Sequence, residues 1–153
     1  MVSRLRAALK ARREMLIIAR TDARGVTGME DAIARGQAYA AAGADIIFPE
    51  SLQSTAEFAA FRQAVASPLM ANMTEFGKTP YLTVAQFQAL GYGLVIYPVS
   101  GLRLAAKAME IGYETLRDAG TLERLLPKML TREELYDVIK YKAHEAMARD
   151  LQK

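Results

Sequence analysis

The stretch "SPLMANMTEFGKTP", residues 67–80, sets the short apolar run Pro68, Leu69, Met70, Ala71 directly against Asn72, Thr74, Glu75, Lys78 and Thr79. The apolar run reads as a strand. The polar residues then arrive where that strand would leave the core. The same arrangement recurs on both sides of it. "MLIIA" (15–19), "ADIIF" (44–48) and "GLVIYP" (93–98) are further strand candidates, and each runs into polar chemistry.

Helical patterns fill the spaces between. "MEDAIARGQAYAAAG" (29–43) is Ala-rich and closes at Gly43. "STAEFAAFRQAV" (54–65) starts at Ser54 with Glu57 three residues on, the spacing of a capping box. "TVAQFQALG" (83–91) starts at Thr83 and ends at Gly91, and residues 100–120 form a long helix closing at Gly120. A last helix is predicted over 131–152, capped by Thr131 with Glu134. At the N-terminus five basic residues in "MVSRLRAALKARRE" form a solvated helix face, opposite Leu5 and Leu9. Four strands alternating with helices make a βαβ series. Strands that are apolar throughout fit a parallel sheet covered on both faces, with right-handed crossovers.

Bulk properties narrow the function. The chain has 153 residues, about one domain, with 52% hydrophobic and 24% charged residues. A net charge of +3, with no basic–aromatic interleaving, excludes a nucleic-acid binder. No apolar run reaches the roughly 18 residues of a membrane span, and the N-terminus lacks a secretory h-region. There is no cysteine, hence no disulfide and no thiolate nucleophile, which fits a reducing, cytoplasmic setting.

In parallel α/β folds, ligands bind at the carboxyl ends of the strands. Here those ends carry Arg20, Thr21 and Asp22; Glu50; Asn72 and Thr74; and Ser100 with Arg103 one turn into a helix. Each alone is as well explained by a loop-ordering hydrogen bond. Together, two arginines, an amide, a carboxylate and hydroxyls suit a small, oxygen-rich anion, since guanidinium binds carboxylate in two parallel hydrogen bonds.

"IIARTDAR", "AGADIIFPE", "PLMANMTEFGKTP", "GYGLVIYPVSGLR" and "MLTREELYDVIKYKAHE" resemble the C-terminal half of the isocitrate lyase / phosphoenolpyruvate mutase superfamily. The "TEFGKTP" form points to its 2-methylisocitrate lyase branch. The resemblance covers about residues 3–150. It implies half of a Mg²⁺-using (β/α)8 barrel, four parallel βα units over 1–120 with a C-terminal helical extension over 121–153. It also implies a carbon–carbon lyase acting on a small di- or tricarboxylate, 2-methylisocitrate, to give pyruvate and succinate. Arg20 would bind the pyruvate part and Glu50 the reacting centre. Asn72, the backbone of Met73, Thr74, Arg103 and Arg132 would hold the succinate-like carboxylate. Residue pattern alone selects all of these except Met73 and Arg132.

The family's metal-binding aspartates and catalytic cysteine belong to its first half. No catalytic or metal residue is therefore expected in this chain. Asp22 follows the strand-end arginine, Asp45 sits at the opposite rim, and His144 reads as an exposed helix residue. The isolated chain is expected to be inactive. The alternative from another class is a noncatalytic half-barrel that binds dicarboxylates. The strands at 15–19 and 93–97 would be bare edges, and Ile17, Ile47 and Ile96 would face the missing half. A homo-oligomer, most simply a two-fold dimer, or a complementary N-terminal half would cover that face.

Overall fold

A computed structural model describes residues 1–151 of the chain. The element order is α1 (Val2–Ala11), β1 (Ile18–Thr21), α2 (Ala23–Val26), α3 (Met29–Ala41), β2 (Ile46–Pro49), α4 (Thr55–Ala64), β3 (Met70–Asn72), α5 (Val84–Ala89), β4 (Leu94–Ile96) and α6 (Ser100–Ala119). A 3₁₀ segment (Glu123–Lys128), α7 (Arg132–Val138) and α8 (Tyr141–Asp150) complete it. This is an α/β fold of helices and short parallel strands. Its contacts gather into two compact units that meet at Gly101 and Leu102, whereas the sequence groups 1–120 together. Among the described residues no helix is long and apolar enough to cross a membrane.

In the first unit, β1 pairs parallel with β2, Ile18 opposite Ile46 and Arg20 opposite Phe48. β3 pairs parallel with β4, Met70 opposite Leu94 and Asn72 opposite Ile96. One bridge, Ile47 to Leu69, joins the two pairs. β1, β2 and β3 therefore sit later than their apolar runs suggest, while β4 lies inside its run. The ladder continues into Arg20, Thr21, Pro49 and Asn72, because backbone pairing does not stop where side chains turn polar.

Alternation assigns the two faces. Ala19, Ile47, Leu69 and Ala71 are fully buried in one core with Phe58, Phe61 and Phe87 of α4 and α5. The residues between them, Ile18, Arg20, Ile46, Phe48, Met70, Asn72, Leu94 and Ile96, take the other face, where Ile18 and Leu94 are exposed at 41% and 39%. The expectation for Ile17 and Ile47 is thus corrected. Ile47 is wholly buried under the helices, and Ile17 packs against the same core. Ile96 keeps the expected face. The register put Ile17 and Ile47 one residue out of phase, and a one-residue slip inverts the face.

Several helix ends follow the sequence. Gly43, Gly91 and Gly120 have φ of +100°, +80° and +68°, the left-handed closure that favours glycine. Thr83 with Gln86 and Thr131 with Glu134 form complete capping boxes. At Ser54 only half of the box forms. Its hydroxyl accepts the Glu57 N–H at 3.2 Å. The Glu57 carboxylate turns instead to the Gln53 N–H at 2.8 Å and to Arg24 at 2.6 and 2.9 Å. Gly36 lets α3 approach α4: a Cβ there would lie 2.6 Å from Phe61 Cζ. On α1, Leu5 is buried and Leu9 packs beside it. Arg12 leaves the solvated face to pair with Asp45, whose carboxylate also accepts the Ile17 N–H at 2.8 Å.

The second unit is helical, and its elements are shorter than predicted. The single helix expected over 131–152 breaks at Lys140, which adopts φ +53° between α7 and α8; its predicted end at 152 lies outside the described residues. Tyr136 and Tyr141 stack across this corner with ring centroids 4.4 Å apart. Among the unit's described residues Thr115 alone is buried, and its hydroxyl accepts from Arg124 at 2.7 Å. His144 is exposed on α8, as expected.

Candidate functional site

The carboxyl ends of the strands carry one continuous polar chain. It begins on β3, where Thr74 Oγ1 donates to Asn72 Oδ1 at 2.6 Å. Asn72 Nδ2 donates to both Glu50 oxygens at 3.3 Å. Glu50 follows β2 and is held by its backbone, whose N–H donates to the Thr21 carbonyl at 2.9 Å. Arg20 Nη1 reaches Glu50 at 3.3 Å, while Arg20 Nη2 and Nε engage Asp22 at 2.6 to 3.2 Å. The Arg20 guanidinium lies over the Phe48 ring, 5.2 Å from its centroid, which fixes the plane of the fork. The Asp22 hydrogen bond, against a cost of burial and with help from the Glu50 charge, raises Arg20 further above its ordinary value. It stays a cation at every relevant pH.

Backbone strain marks the same rim. Ser51, Phe76 and Val99 have φ of +62°, +63° and +57°, and each lies in the segment that follows a strand. Left-handed backbone is uncommon for non-glycine residues and exceptional for β-branched valine. Such residues persist where surrounding contacts hold them, and they cluster at binding sites.

Glu50, Asn72 and Thr74 line a hollow of about 260 Å³, together with Gly77, Lys78 and Thr79. Thr79 Oγ1 donates to the Leu52 carbonyl at 2.7 Å, fastening the β3–α5 loop against the segment after β2. A larger hollow of about 330 Å³, beside Arg35 and Tyr39, is lined by Arg20, Thr21 and Asp22 of the β1 end alone among the strand-end residues. The smaller hollow is the better candidate, since the polar chain opens into it.

Arg20, Glu50, Asn72 and Thr74 are thus brought together. Met73, between the last two, is buried, and its N–H donates to the Ile96 carbonyl at 2.8 Å. That amide extends the β3–β4 ladder and is not a donor for a ligand in this structure. Arg103 lies on α6 and Arg132 is the first residue of α7, both in the second unit. Lys78 also lines the hollow, beyond the strand-end residues expected to bind. It stands four residues after Thr74, beside a glycine that permits a tight turn. A Cβ on Gly77 would lie 3.0 Å from the Thr74 carbonyl oxygen. Among the described residues no three His, Cys, Asp or Glu side chains gather into a metal-binding group.

A family model described as phosphoenolpyruvate phosphomutase matches residues 1–117. The 2-methylisocitrate lyase of Aeropyrum pernix is 53% identical over 145 residues, covering 95% of this chain and 47% of that protein. A crystal structure of 2,3-dimethylmalate lyase, a PEP mutase/isocitrate lyase superfamily member, superposes with a TM-score of 0.84 at 34% identity, covering 99% of this chain and 54% of that one. A phosphonopyruvate hydrolase crystallised with oxalate and Mg²⁺ gives 0.81 at 28% identity, covering 99% and 55%. The chain spans about half the length of the curated relatives it matches.

Proposed function

The chain belongs to the phosphoenolpyruvate phosphomutase family, within the PEP mutase/isocitrate lyase superfamily, and on that premise we propose that it is the carboxylate-binding half of a 2-methylisocitrate-lyase-like carbon–carbon lyase. The observation that carries this is the chain Thr74–Asn72–Glu50–Arg20 at the strand ends, opening on a hollow of about 260 Å³. The fold is then the C-terminal half of a (β/α)8 barrel, extended by helices.

In this reading Arg20 faces the pyruvate part of 2-methylisocitrate. Glu50, oriented by Asn72 and Arg20, hydrogen-bonds the reacting centre. Asn72 and Thr74, spaced by Met73, meet the succinate-like carboxylate. Cleavage removes the proton of the hydroxyl and breaks one carbon–carbon bond, so that the hydroxyl-bearing carbon becomes the oxo carbon of pyruvate and the carbanion left behind takes a proton to become succinate. This chain's residues bind and orient. Mg²⁺, which accompanies oxalate in the phosphonopyruvate hydrolase, would polarise the oxygen at the reacting carbon. The described residues do not form its site by themselves, so no step is assigned to it here.

The charge balance sets the expected affinity. Arg20 is already shared by Asp22 and Glu50, so a bound dicarboxylate competes with two resident carboxylates. Succinate should therefore bind in the millimolar range, about −4 kcal/mol. Titration followed by NMR tests this. Shifts at Asn72 and Thr74 support it, and an unmoved spectrum at high succinate overturns it. The chain has no cysteine, which favours a second reading for the chain alone: a half-barrel that binds dicarboxylates without turnover. Pyruvate release measured with and without a separately made N-terminal half decides between them. The sheet face bearing Ile18 and Leu94 would be covered by that half or by a second copy, and sedimentation over a wide concentration range distinguishes the two.

A further inference from the structure

The candidate site depends on the loop between β3 and α5, which presents Thr74, Lys78 and Thr79. Two hydrogen bonds inside the loop shape it: Gly77 N–H to the Thr74 carbonyl at 3.2 Å, and Phe76 N–H to the Tyr81 hydroxyl at 3.1 Å. Two side chains fasten it outward. Thr79 reaches the Leu52 carbonyl. Glu75 accepts the Ser100 hydroxyl, with oxygens at 2.7 and 2.8 Å. The second tie joins the loop after β3 to the segment after β4 within the first unit.

Both ends of that tie are strained. Phe76, next to Glu75, and Val99, next to Ser100, are two of the three left-handed non-glycine residues on this rim. Phe76 is 87% exposed, so side-chain burial does not hold its backbone there. A hydroxyl donating to a carboxylate is among the stronger hydrogen bonds, because one partner is charged. It is the kind of contact that can hold two unfavourable backbone conformations at once.

We infer that Glu75 is a positioning residue: its carboxylate, held by Ser100, locks the β3–α5 loop in the conformation that presents Thr74 and Asn72 to a carboxylate ligand. This rests on the proposed carboxylate site for its ligand but not for its geometry. Glu75 stands beside the hollow's lining and is not among the residues that form it.

The test uses the whole chain, with Glu75→Ala, Glu75→Gln and Ser100→Thr, read in two ways. Without ligand, the amide resonances of Thr74, Gly77, Lys78 and Thr79 should shift and broaden in Glu75→Ala, while those of β1 and β2 stay in place. With succinate, Glu75→Ala should weaken binding at least fivefold. Ser100→Thr keeps the hydroxyl and should stay within about twofold, while Glu75→Gln keeps an acceptor without the charge and should fall between the two. Unchanged loop amides in Glu75→Ala would overturn the inference. So would succinate affinity that falls only in proportion to a lowered urea midpoint, equally in all three variants. If the unmodified chain binds no succinate, the carboxylate reading falls, and the ligand-free amides still decide the role of Glu75.

Discussion

Phe61 on α4 and Leu104 on α6 are both large apolar residues on helices, yet Phe61 is fully buried and Leu104 is 74% exposed. The contrast extends to the units that hold them. The first unit folds sixteen buried residues into one cluster, from Leu5 to Tyr92. The second leaves Leu102, Met109, Tyr113, Leu126 and Val138 exposed, with Thr115 the one buried residue among those described. Helices with apolar residues on their outer surface commonly mark an interaction site. The difference teaches that the first unit holds a packed core behind its open sheet face, while the second is nearly all surface.

The largest test of this contrast is Phe61→Ala. It should cost about 3–5 kcal/mol by urea denaturation, whereas Leu104→Ala should stay within about 0.5 kcal/mol. Equal losses would erase the distinction. Next comes Gly36→Ala, where the new methyl meets Phe61 at 2.6 Å. Overpacking of this kind costs about 1–3 kcal/mol, against alanine's better helix propensity, and Phe61→Leu in the same chain should recover part of the loss. Third, the two complete capping boxes can be compared. Thr83→Ala should cost about 1 kcal/mol of the first unit's stability. Thr131→Ala should leave that unit's unfolding unchanged and lower only the helix signal of the second. The smallest effect is on the acid limb. Arg24 and the Gln53 amide hold Glu57 below the ordinary carboxylate range, and the Ile17 amide with Arg12 does the same for Asp45. A lowered folded value means stability that is present above the ordinary range and lost as pH falls through and below it. Glu57→Gln and Asp45→Asn should therefore flatten the loss of stability below about pH 4, measured by urea midpoints across pH.

The alternation of elements was legible because continuous apolar runs and cap residues are local signals. The face each strand presents was not. A strand apolar throughout gives no phase, and only the register places Ile17 and Ile47 on the core side. The break at Lys140 was also hidden, since neither glycine nor proline marks it and the helical spacing runs through it. At the site, Arg20, Glu50, Asn72 and Thr74 could be read from strand ends, and three of them line one hollow. The contacts that bind them to one another could not be read, because Asn72 and Glu50, 22 positions apart, and Arg20 and Glu50 meet only after the strands align. Nothing in the sequence ranks Lys78 among these, because an exposed loop lysine has no periodicity to set it apart.

The sheet itself is joined across its middle by one bridge, Ile47 to Leu69. Behind that seam Phe58, Phe87 and Tyr92 meet edge to face, with centroids 5.2 to 6.2 Å apart, and the Tyr92 hydroxyl donates to the Phe58 carbonyl at 3.2 Å. Phe58 rides on the crossover that follows β2, and Tyr92 directly precedes β4. Under a pulling force or a thermal opening, the two strand pairs would have to part these rings before they could separate. The aromatic triangle behind the strands therefore braces the one seam that joins the two strand pairs.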